Sequence, residues 1–298
     1  MQMLCRCLLA GFLLMSAAAI SVAQKAPAVV YAAGKTQEFD DMLDELSKAD
    51  VVFVGENHDH AQGHALELAI LKGLFARRPE MALGMEMFER DTQIVLDEYL
   101  AGQITDSSFA QASRPWPNYK TDYAPLVTFC KEHNLPVLAT NAPRRYVNMV
   151  SREGQGALLA LPKTSKTYLP PLPYSMTLPP EYDSQLTAIF SGAHDPNNPA
   201  IPSTDRMKQA QGLWDATMAD SIAAFRRRSK RTLLHVNGAM HSDSGYGIAA
   251  RLHALNPRLK IKIVTIRPDE KYPALPSDLP AHAADYVIMT PPDVLPAK

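Results

Sequence analysis

Residues 51–58, with the sequence VVFVGENH, place four apolar side chains directly before a glycine, a glutamate and a histidine. Short apolar runs that are rich in β-branched residues and end at glycine are typical of buried strands. The residues that follow, 61–77, have the pattern of an amphipathic helix. In open α/β sheets, ligands and catalytic groups collect where strands lead into helices. The stretch therefore predicts an α/β fold with Glu56 and His58 at a functional edge of the sheet.

The same succession of an apolar run and a helical pattern recurs along the chain. Strand-like runs lie at 51–54, 81–85, 136–140, 232–236, 261–266 and 286–289, and helical patterns at 38–49, 61–77, 88–100, 123–133, 205–227 and 247–255. Strands that alternate with helices predict a mostly parallel central sheet flanked by helices. A chain of 298 residues suits one domain, which we expect over residues 24–298, with a loose arm at 24–37.

A segment at 161–202 interrupts this alternation because it is rich in proline and tyrosine. Its members are Pro162, Pro170, Pro171, Pro173, Pro179, Pro180, Pro196, Pro199 and Pro202, with Tyr168, Tyr174 and Tyr182 among them. Such proline density prevents long regular elements, and long loops inside compact domains often carry function. With a short helix expected at 181–191, the segment is predicted to be an inserted lid of helix and loop.

The first residues have the features of a targeting signal. Arg6 precedes an apolar run at 8–19, and the small residues SVA at 21–23 form a cleavage pattern before Gln24. The apolar run is too short to span a bilayer comfortably, so no transmembrane segment is expected in the mature chain. Neither Cys5 nor Cys7 has a lipobox context. Residues 1–23 are therefore predicted to be a cleavable signal peptide, and the mature chain to be periplasmic or secreted.

The charge balance argues against a nucleic-acid partner. The net charge of −1 provides no broad basic surface. The basic run RRRSKR at 226–231 falls at the end of a predicted helix, where cations interact favourably with the helix dipole.

Four strand-like runs end in polar residues that a parallel sheet would bring to one edge. These residues are Glu56 and His58, Glu86, Asn141 with Arg144, and His241. Two carboxylates and two imidazoles suit a metal-free acid–base site with Glu56, His58, Glu86 and His241 as catalytic groups, and Asn141 and Arg144 beside them. They equally suit a divalent metal held by Glu56, His58 and His241. Both alternatives stay open at this point.

Other polar residues near these motifs have plainer interpretations. His60 and His64 are four residues apart, a ligand-like spacing, but supporting roles beside the site are favoured. His235 lies inside a predicted strand and is expected to be a core residue. Trp214 belongs to the apolar stripe of a long helix, and Asp215 next to it is expected to orient a group at the site.

Five motifs occur together in order along the chain. They are GENH at 55–58, GMEMFER at 84–90, ATNAPR at 139–144, QxxWDxxMA at 211–219 and VNGAMH at 236–241. Over residues 40–267 the sequence resembles the ChaN-like haem-binding uptake family, which shares a superfamily with the Tiki and TraB proteins and the erythromycin esterases. In the hydrolase branches, the motif residues that correspond to Glu56, His58, Glu86 and His241 build the active site.

The resemblance implies a haem-binding protein of haem and iron uptake, with haem as cofactor and ligand. A homodimer and an outer-membrane haem uptake system are the partners that it suggests. Haem needs an axial ligand such as His or Tyr. His194 is the first candidate, since similar family members carry a His there, followed by Tyr174 and Tyr182 in the proline-rich segment. The alternative function is a metal-dependent or His/Glu-based hydrolase, a peptidase or esterase, so whether the chain is an enzyme stays open.

Overall fold

An eight-stranded sheet forms the centre of the computed structural model, which describes residues 28–192, 201–277, 279–280 and 282–293. Its strands are β1 (Val29–Ala32), β2 (Lys35–Gln37), β3 (Val51–Glu56), β4 (Met81–Glu89), β5 (Val137–Asn141), β6 (Thr232–Gly238), β7 (Ile261–Pro268) and β8 (Tyr286–Thr290). Across the sheet their order is β2-β1-β8-β7-β3-β6-β4-β5. The six strands from β8 to β5 are parallel, so the predicted fold class is confirmed.

Helices cover both faces of the sheet. They are α1 (Phe39–Leu46), α2 (Ala61–Arg77), α3 (Gln93–Leu100), α4 (Asp106–Ala112), α5 (Ala124–Glu132), α6 (Arg144–Glu153), α7 (Lys163–Lys166), α8 (Pro180–Ser191), α9 (Thr204–Arg228) and α10 (Gly247–Leu255). Strand side chains alternate between the two faces. Accordingly Val52 and Val54 pack in the core with α1, α2 and α5, whereas Val51 and Phe53 pack with α9 and α10.

The central strand β3 is buried along its whole length, between β6 and β7. A strand with a helical layer on each face has no solvent-facing side, so an apolar run is selected instead of an alternating pattern. This explains why residues 51–54 are all apolar. It also means that Glu56, the last residue of the strand, is a buried carboxylate at the edge of the sheet, with only 2% of the residue exposed.

The prediction of a loose arm at 24–37 is wrong for residues 28–37, the part that the structure describes. Strands β1 and β2 form an antiparallel hairpin there, with Ala33 and Gly34 at positive φ in the turn. Strand β1 then pairs antiparallel with β8, near the other end of the described chain. Helices α4 and α6 were also not predicted, although Tyr146, Val147 and Val150 give α6 a buried face.

The described part of the proline-rich segment contains α7 and α8 and packs against the sheet's helical layer. Leu169 and Tyr174 lie in a buried cluster with Val150 of α6 and Leu213 of α9. The role of this segment as a lid stays a prediction. His194 and the signal peptide predicted at 1–23 lie outside the described residues. None of the described helices combines the length and the apolar character that a bilayer crossing requires.

The packing of α2 on the sheet gives a stability prediction. Ile70 of α2 is fully buried, whereas Ile94 of α3 is 63% exposed. We expect Ile70→Ala to lower the free energy of unfolding by about 2–5 kcal/mol, because the removed side chain leaves a cavity in the core. The matched variant Ile94→Ala should change it by less than about 0.5 kcal/mol. Urea denaturation measures both values, and equal losses would contradict this packing.

Candidate functional site

The register of the parallel strands brings the predicted site residues to one edge of the sheet. Glu56, the last residue of β3, lies opposite Gly238, the last residue of β6. Val236 of β6 lies opposite Met85 of β4, which places Glu86 beside the same end of β6. The chain then turns tightly through residues Ala239–His241, so that His241 folds back over this edge.

Glu56 and His58 form a hydrogen-bonded pair at this edge. The Nδ1 atom of His58 lies 2.6 Å from Oε1 of Glu56, and the hydroxyl of Tyr123 donates to the same oxygen at 3.3 Å. The hydrogen bond to Glu56 raises the pKa of His58. The carboxylate is buried, but the imidazole is 45% exposed. Its Nε2 atom has no hydrogen-bond partner among the described residues, so this nitrogen is open to a ligand.

His241 lies between two buried carboxylates. Its Nδ1 atom is 2.6 Å from Oδ1 of Asp215, and its Nε2 atom is 3.3 Å from Oε1 of Glu86. Burial acts to lower the pKa of His241, but the two carboxylates outweigh it and raise this pKa to about 10. The residue is therefore an imidazolium at neutral pH. Both of its ring nitrogens are occupied by carboxylates and neither is free to bind a metal ion.

Glu86 is the second carboxylate of this ion pair. Burial acts to raise its pKa, but the imidazolium of His241, the neighbouring His58 and the N–H of Gly238 hold it well below its usual value. The N–H of Gly238 donates to Oε2 of Glu86 at 2.8 Å. Glu86 is thus an anion with both oxygens engaged, which suits a role in fixing His241.

Gly238 lies between the Glu56–His58 pair and the Glu86–His241 pair. A Cβ atom at this position would lie 2.7 Å from Cε1 of His58 and 3.7 Å from Oε2 of Glu86. Real Cβ atoms do not approach other atoms at 2.7 Å, so any larger residue would displace the imidazole. The glycine of the VNGAMH motif therefore allows the His58 ring to lie over the end of β6.

A cleft of about 620 Å³ opens above this edge. Its walls combine polar residues and apolar residues, namely Glu56, Asn57, His58, Asp59, His60, Gly238, Ala239, Met240, His241, Pro268, Pro292 and Asp293. Met240 is unusual among them because 38% of this apolar residue is exposed. The volume is in the range of small-molecule and cofactor sites.

Asn141 and Arg144 lie at the end of β5, but they do not line this cleft. The side chain of Asn141 accepts a hydrogen bond from the N–H of Ala142 at 2.9 Å and is buried. The side chain of Arg144 is exposed on the first residue of α6. The structure thus brings Glu56, His58, Glu86 and His241 together, while Asn141 and Arg144 lie to one side.

The two tyrosines predicted as haem ligands are buried and already hydrogen-bonded. The hydroxyl of Tyr174 donates to the carbonyl oxygen of Gln209 at 2.8 Å. The hydroxyl of Tyr182 donates to Oδ2 of Asp215 at 3.0 Å, so Tyr182 supports the carboxylate that holds His241. Burial raises the pKa of both phenols. Either tyrosine would have to leave these partners before its oxygen reached an iron ion.

Several residues of the site were not identified from the sequence. Tyr123 contacts Glu56, and Gln211 contacts His241. The ring of Trp116 packs edge-on against His58, with ring centroids 4.8 Å apart. Asp215 was expected to orient a group at the site, and the contact with His241 is such an interaction. Gln211 begins the QxxWDxxMA motif, but the motif does not show that this side chain contacts His241. Nothing in the local sequence marks Tyr123, which directly precedes α5.

The set of residues with metal-binding geometry differs from the one predicted. Among the described residues, Glu56, His64 and Glu67 place one ligand atom each within 4.8 Å of one another. All three side chains are buried. Of the predicted ligands, Glu56 belongs to this set, whereas His58 and His241 lie on its outer side, towards the cleft.

The position of His241 predicts how stability depends on pH. Its folded pKa lies above the unfolded value of about 6.5, so its contribution is complete below about pH 6.5 and is lost as the pH rises towards about 10. We expect the free energy of unfolding to fall by on the order of 4 kcal/mol over this interval.

Chemical denaturation at a series of pH values measures this decline, and His241→Gln should flatten it. The exposed His253 provides the control, because His253→Gln should keep the wild-type slope. An equal decline in all three proteins would contradict a charged His241.

Comparison with known proteins agrees with the fold. ChaN of Campylobacter jejuni, which binds haem cofacially, superimposes with a TM-score of 0.68 at 21% sequence identity, over 88% of this chain and 96% of that one. At this identity the likeness shows a shared fold. Protein RETICULATA-RELATED 5 of Arabidopsis thaliana, a chloroplastic protein, is 24% identical over 241 residues, which cover 77% of this chain. The chain spans only 32% of the length of that plant protein.

The family match covers Glu56, His58, Glu86 and His241. Residues 42–252 match the family described as haem-binding uptake, Tiki superfamily, ChaN. This range includes the central strand β3, the ends of β4 and β6, and His241. The match extends over more than half of the chain, and the fold agrees with it. The chain therefore belongs to the ChaN family of haem-binding uptake proteins in the Tiki superfamily.

Proposed function

We infer that this protein is an exported haem-binding protein that serves haem and iron uptake, and that it binds haem in the cleft beside His58. The observation that carries the proposal is the open Nε2 atom of His58, whose Nδ1 atom is held by the buried Glu56 at 2.6 Å. Histidines that bind a metal commonly donate their other ring N–H to a carboxylate, which fixes the ring and strengthens the ligand.

The residues of the cleft fit a flat, largely apolar ligand with an iron ion. Met240, Ala239, Pro268 and Pro292 provide apolar wall. Haem iron accepts an axial nitrogen or oxygen ligand, and His58 offers a nitrogen at the cleft surface. The sequence-based candidates Tyr174 and Tyr182 are enclosed by protein, and His194 stays a prediction as a ligand from the proline-rich segment.

A homodimer is part of this proposal. His58 and Met240 are both substantially exposed, so a flat ligand lying on them would keep one face open. A second copy of the chain would cover that face. Cofacial haem binding by ChaN of Campylobacter jejuni supports this arrangement. An outer-membrane haem uptake system is the partner that the family's role suggests. Export rests on the signal-like residues 1–23.

A haemin titration tests the binding proposal. The chain from residue 24 onwards should show a saturable shift of the haem Soret band, and His58→Ala should weaken binding at least tenfold and change the spectrum. Loss of one axial ligand removes the bond that holds the iron. The exposed His253 gives the matched control, since His253→Ala should bind as the wild type does.

The outcomes separate the parts of the proposal. Absence of saturable binding by the wild type would contradict the haem function. His58→Ala could leave saturable binding unchanged while His194→Ala, Tyr174→Ala or Tyr182→Ala abolishes it. That result would assign the axial ligand to the proline-rich segment. Size-exclusion chromatography with and without haemin should show a dimer only in the loaded protein.

A hydrolase is the second candidate, because the same open imidazole of His58 has the carboxylate partner that a general base needs. His241 cannot take the base role at neutral pH, since its raised pKa keeps it protonated. Peptidase and esterase remain alternatives of this candidate.

A panel of ester and peptide substrates tests the hydrolase candidate. Hydrolysis by the His58 pair predicts a loss of kcat of at least about 100-fold in His58→Ala, which is the usual contribution of a general base. His253→Ala should keep the wild-type rate. No turnover by the wild type, or turnover that His58→Ala leaves unchanged, would contradict this candidate while leaving the haem titration unaffected.

A further inference from the structure

A second cluster of ionisable residues lies beneath the cleft, on the inner side of Glu56. It consists of Glu56, His64 and Glu67, which are 2%, 5% and 0% exposed. One ligand atom from each lies within 4.8 Å of the others. Nitrogen and oxygen ligands bind Zn²⁺ at about 2.0–2.2 Å, so the ligands of one ion are about 3–4 Å apart. Small side-chain movements would bring these three atoms to that spacing.

The hydrogen bonds of His64 define which of its nitrogens is available. Its Nε2 atom lies 3.2 Å from the carbonyl oxygen of His58, which can only accept, so Nε2 carries a proton. Its Nδ1 atom lies 3.3 Å from Oε2 of Glu67. This separation exceeds the usual 2.7–2.9 Å of a charge-assisted N–H···O bond. An imidazole that donates one N–H to a carbonyl and presents its other nitrogen to carboxylates has the arrangement of a metal ligand.

The two carboxylates each retain an oxygen without a donor. Both His58 and Tyr123 bond to Oε1 of Glu56, and Oε2 of that carboxylate has no hydrogen-bond partner in the part of the chain that the structure describes. Oε1 of Glu67 likewise has none. Both side chains are fully buried. An unpaired buried carboxylate oxygen is costly, and a cation bound between the two would stabilise both.

We propose that Glu56, His64 and Glu67 form a binding site for one divalent transition-metal ion, with Nδ1 of His64 and one oxygen of each carboxylate as ligands. Two carboxylates and an imidazole are a donor set that Zn²⁺ and Mn²⁺ accept, and a doubly charged ion balances the two carboxylates. Asp122 connects the cluster to the surface, because its carboxylate is 19% exposed and lies 3.7 Å from Nε2 of His64.

This site is distinct from the haem proposal. It uses the inner side of Glu56 and neither ring nitrogen of His58. It therefore also differs from the set Glu56, His58 and His241 that the strand-end motifs suggest. Binding of the ion would fix Glu56 and so hold the Glu56–His58 pair in place.

Calorimetric titration of the chelator-treated, tag-free chain from residue 24 with Zn²⁺ alone tests the site. We expect one ion per chain in the wild type. The near-isosteric variant Glu67→Gln and the variant His64→Gln should each weaken binding at least tenfold, since each loses a ligand. Glu132→Gln, which changes an exposed glutamate of α5, is the matched control and should bind within about twofold of the wild type. Circular dichroism verifies that each variant is folded.

His58→Ala separates this site from the strand-end set, and retained zinc binding supports the inner site. Zinc binding lost in His58→Ala but kept in Glu67→Gln would overturn the proposal. Absence of saturable zinc binding by the wild type would overturn it without any variant. The visible spectrum of the Co²⁺-loaded wild type provides a second readout, because a nitrogen and two oxygens in an enclosed site should give stronger absorption than aqueous Co²⁺.

Discussion

The carboxylate of Glu56 connects the fold to both proposed binding sites. It lies at the end of β3, which is buried between β6 and β7, so the group is withdrawn from water by the sheet itself. Its Oε1 atom accepts from His58 and Tyr123, while its Oε2 atom has no hydrogen-bond partner among the residues that the structure describes. A buried carboxylate strongly favours any cation or donor that reaches it. On one side that group is the imidazole of His58, and on the other side it is the proposed metal ion.

His241, the second histidine at this edge, differs from His58 because both of its ring nitrogens are paired with carboxylates. His241 has a carboxylate on each ring nitrogen, and Tyr182 in turn donates to Asp215. A chain of hydrogen bonds from the proline-rich segment to the end of β4 holds the imidazolium of His241 between two carboxylates, so it adds no net positive charge to the cleft. The four side chains of this chain are shielded from solvent because all of them are buried. His58 is therefore the histidine of the constellation that is free to bind a ligand.

The sheet and most of its edge could be predicted from the sequence, for physical reasons. The apolar run at 51–54 has to be a doubly covered strand, and parallel strands bring Glu56, Glu86 and His241 to one edge. The register cannot be read from the chain, so Gly238 as the contact of His58 was not predicted. The hairpin at 29–37 was missed because its partner β8 lies far away in sequence. The partners of the site from helices, Tyr123, Gln211 and Glu67, also depend on packing that local patterns do not encode.

The residues predicted as haem ligands, Tyr174 and Tyr182, show the same limit more sharply. Tyrosines in a proline-rich segment suggest an open, ligand-binding loop, but Tyr174 and Tyr182 are anchored against α9 by hydrogen bonds to Gln209 and Asp215. Packing of an insert onto its domain buries its aromatic residues, and nothing in their spacing distinguishes an anchor from a ligand.

We infer that the hydrogen bond between Glu56 and His58 sets how strongly His58 binds haem iron. The most direct test is resonance Raman spectroscopy of the ferrous haem complex, which measures the iron–histidine stretching vibration. We expect such a band in the wild type, and we expect it to shift to lower frequency in Glu56→Gln. An amide oxygen accepts a weaker hydrogen bond from the Nδ1–H group than a carboxylate does, which makes the imidazole a weaker ligand. A complex without an iron–histidine band, or a band that Glu56→Gln does not move, would contradict this inference.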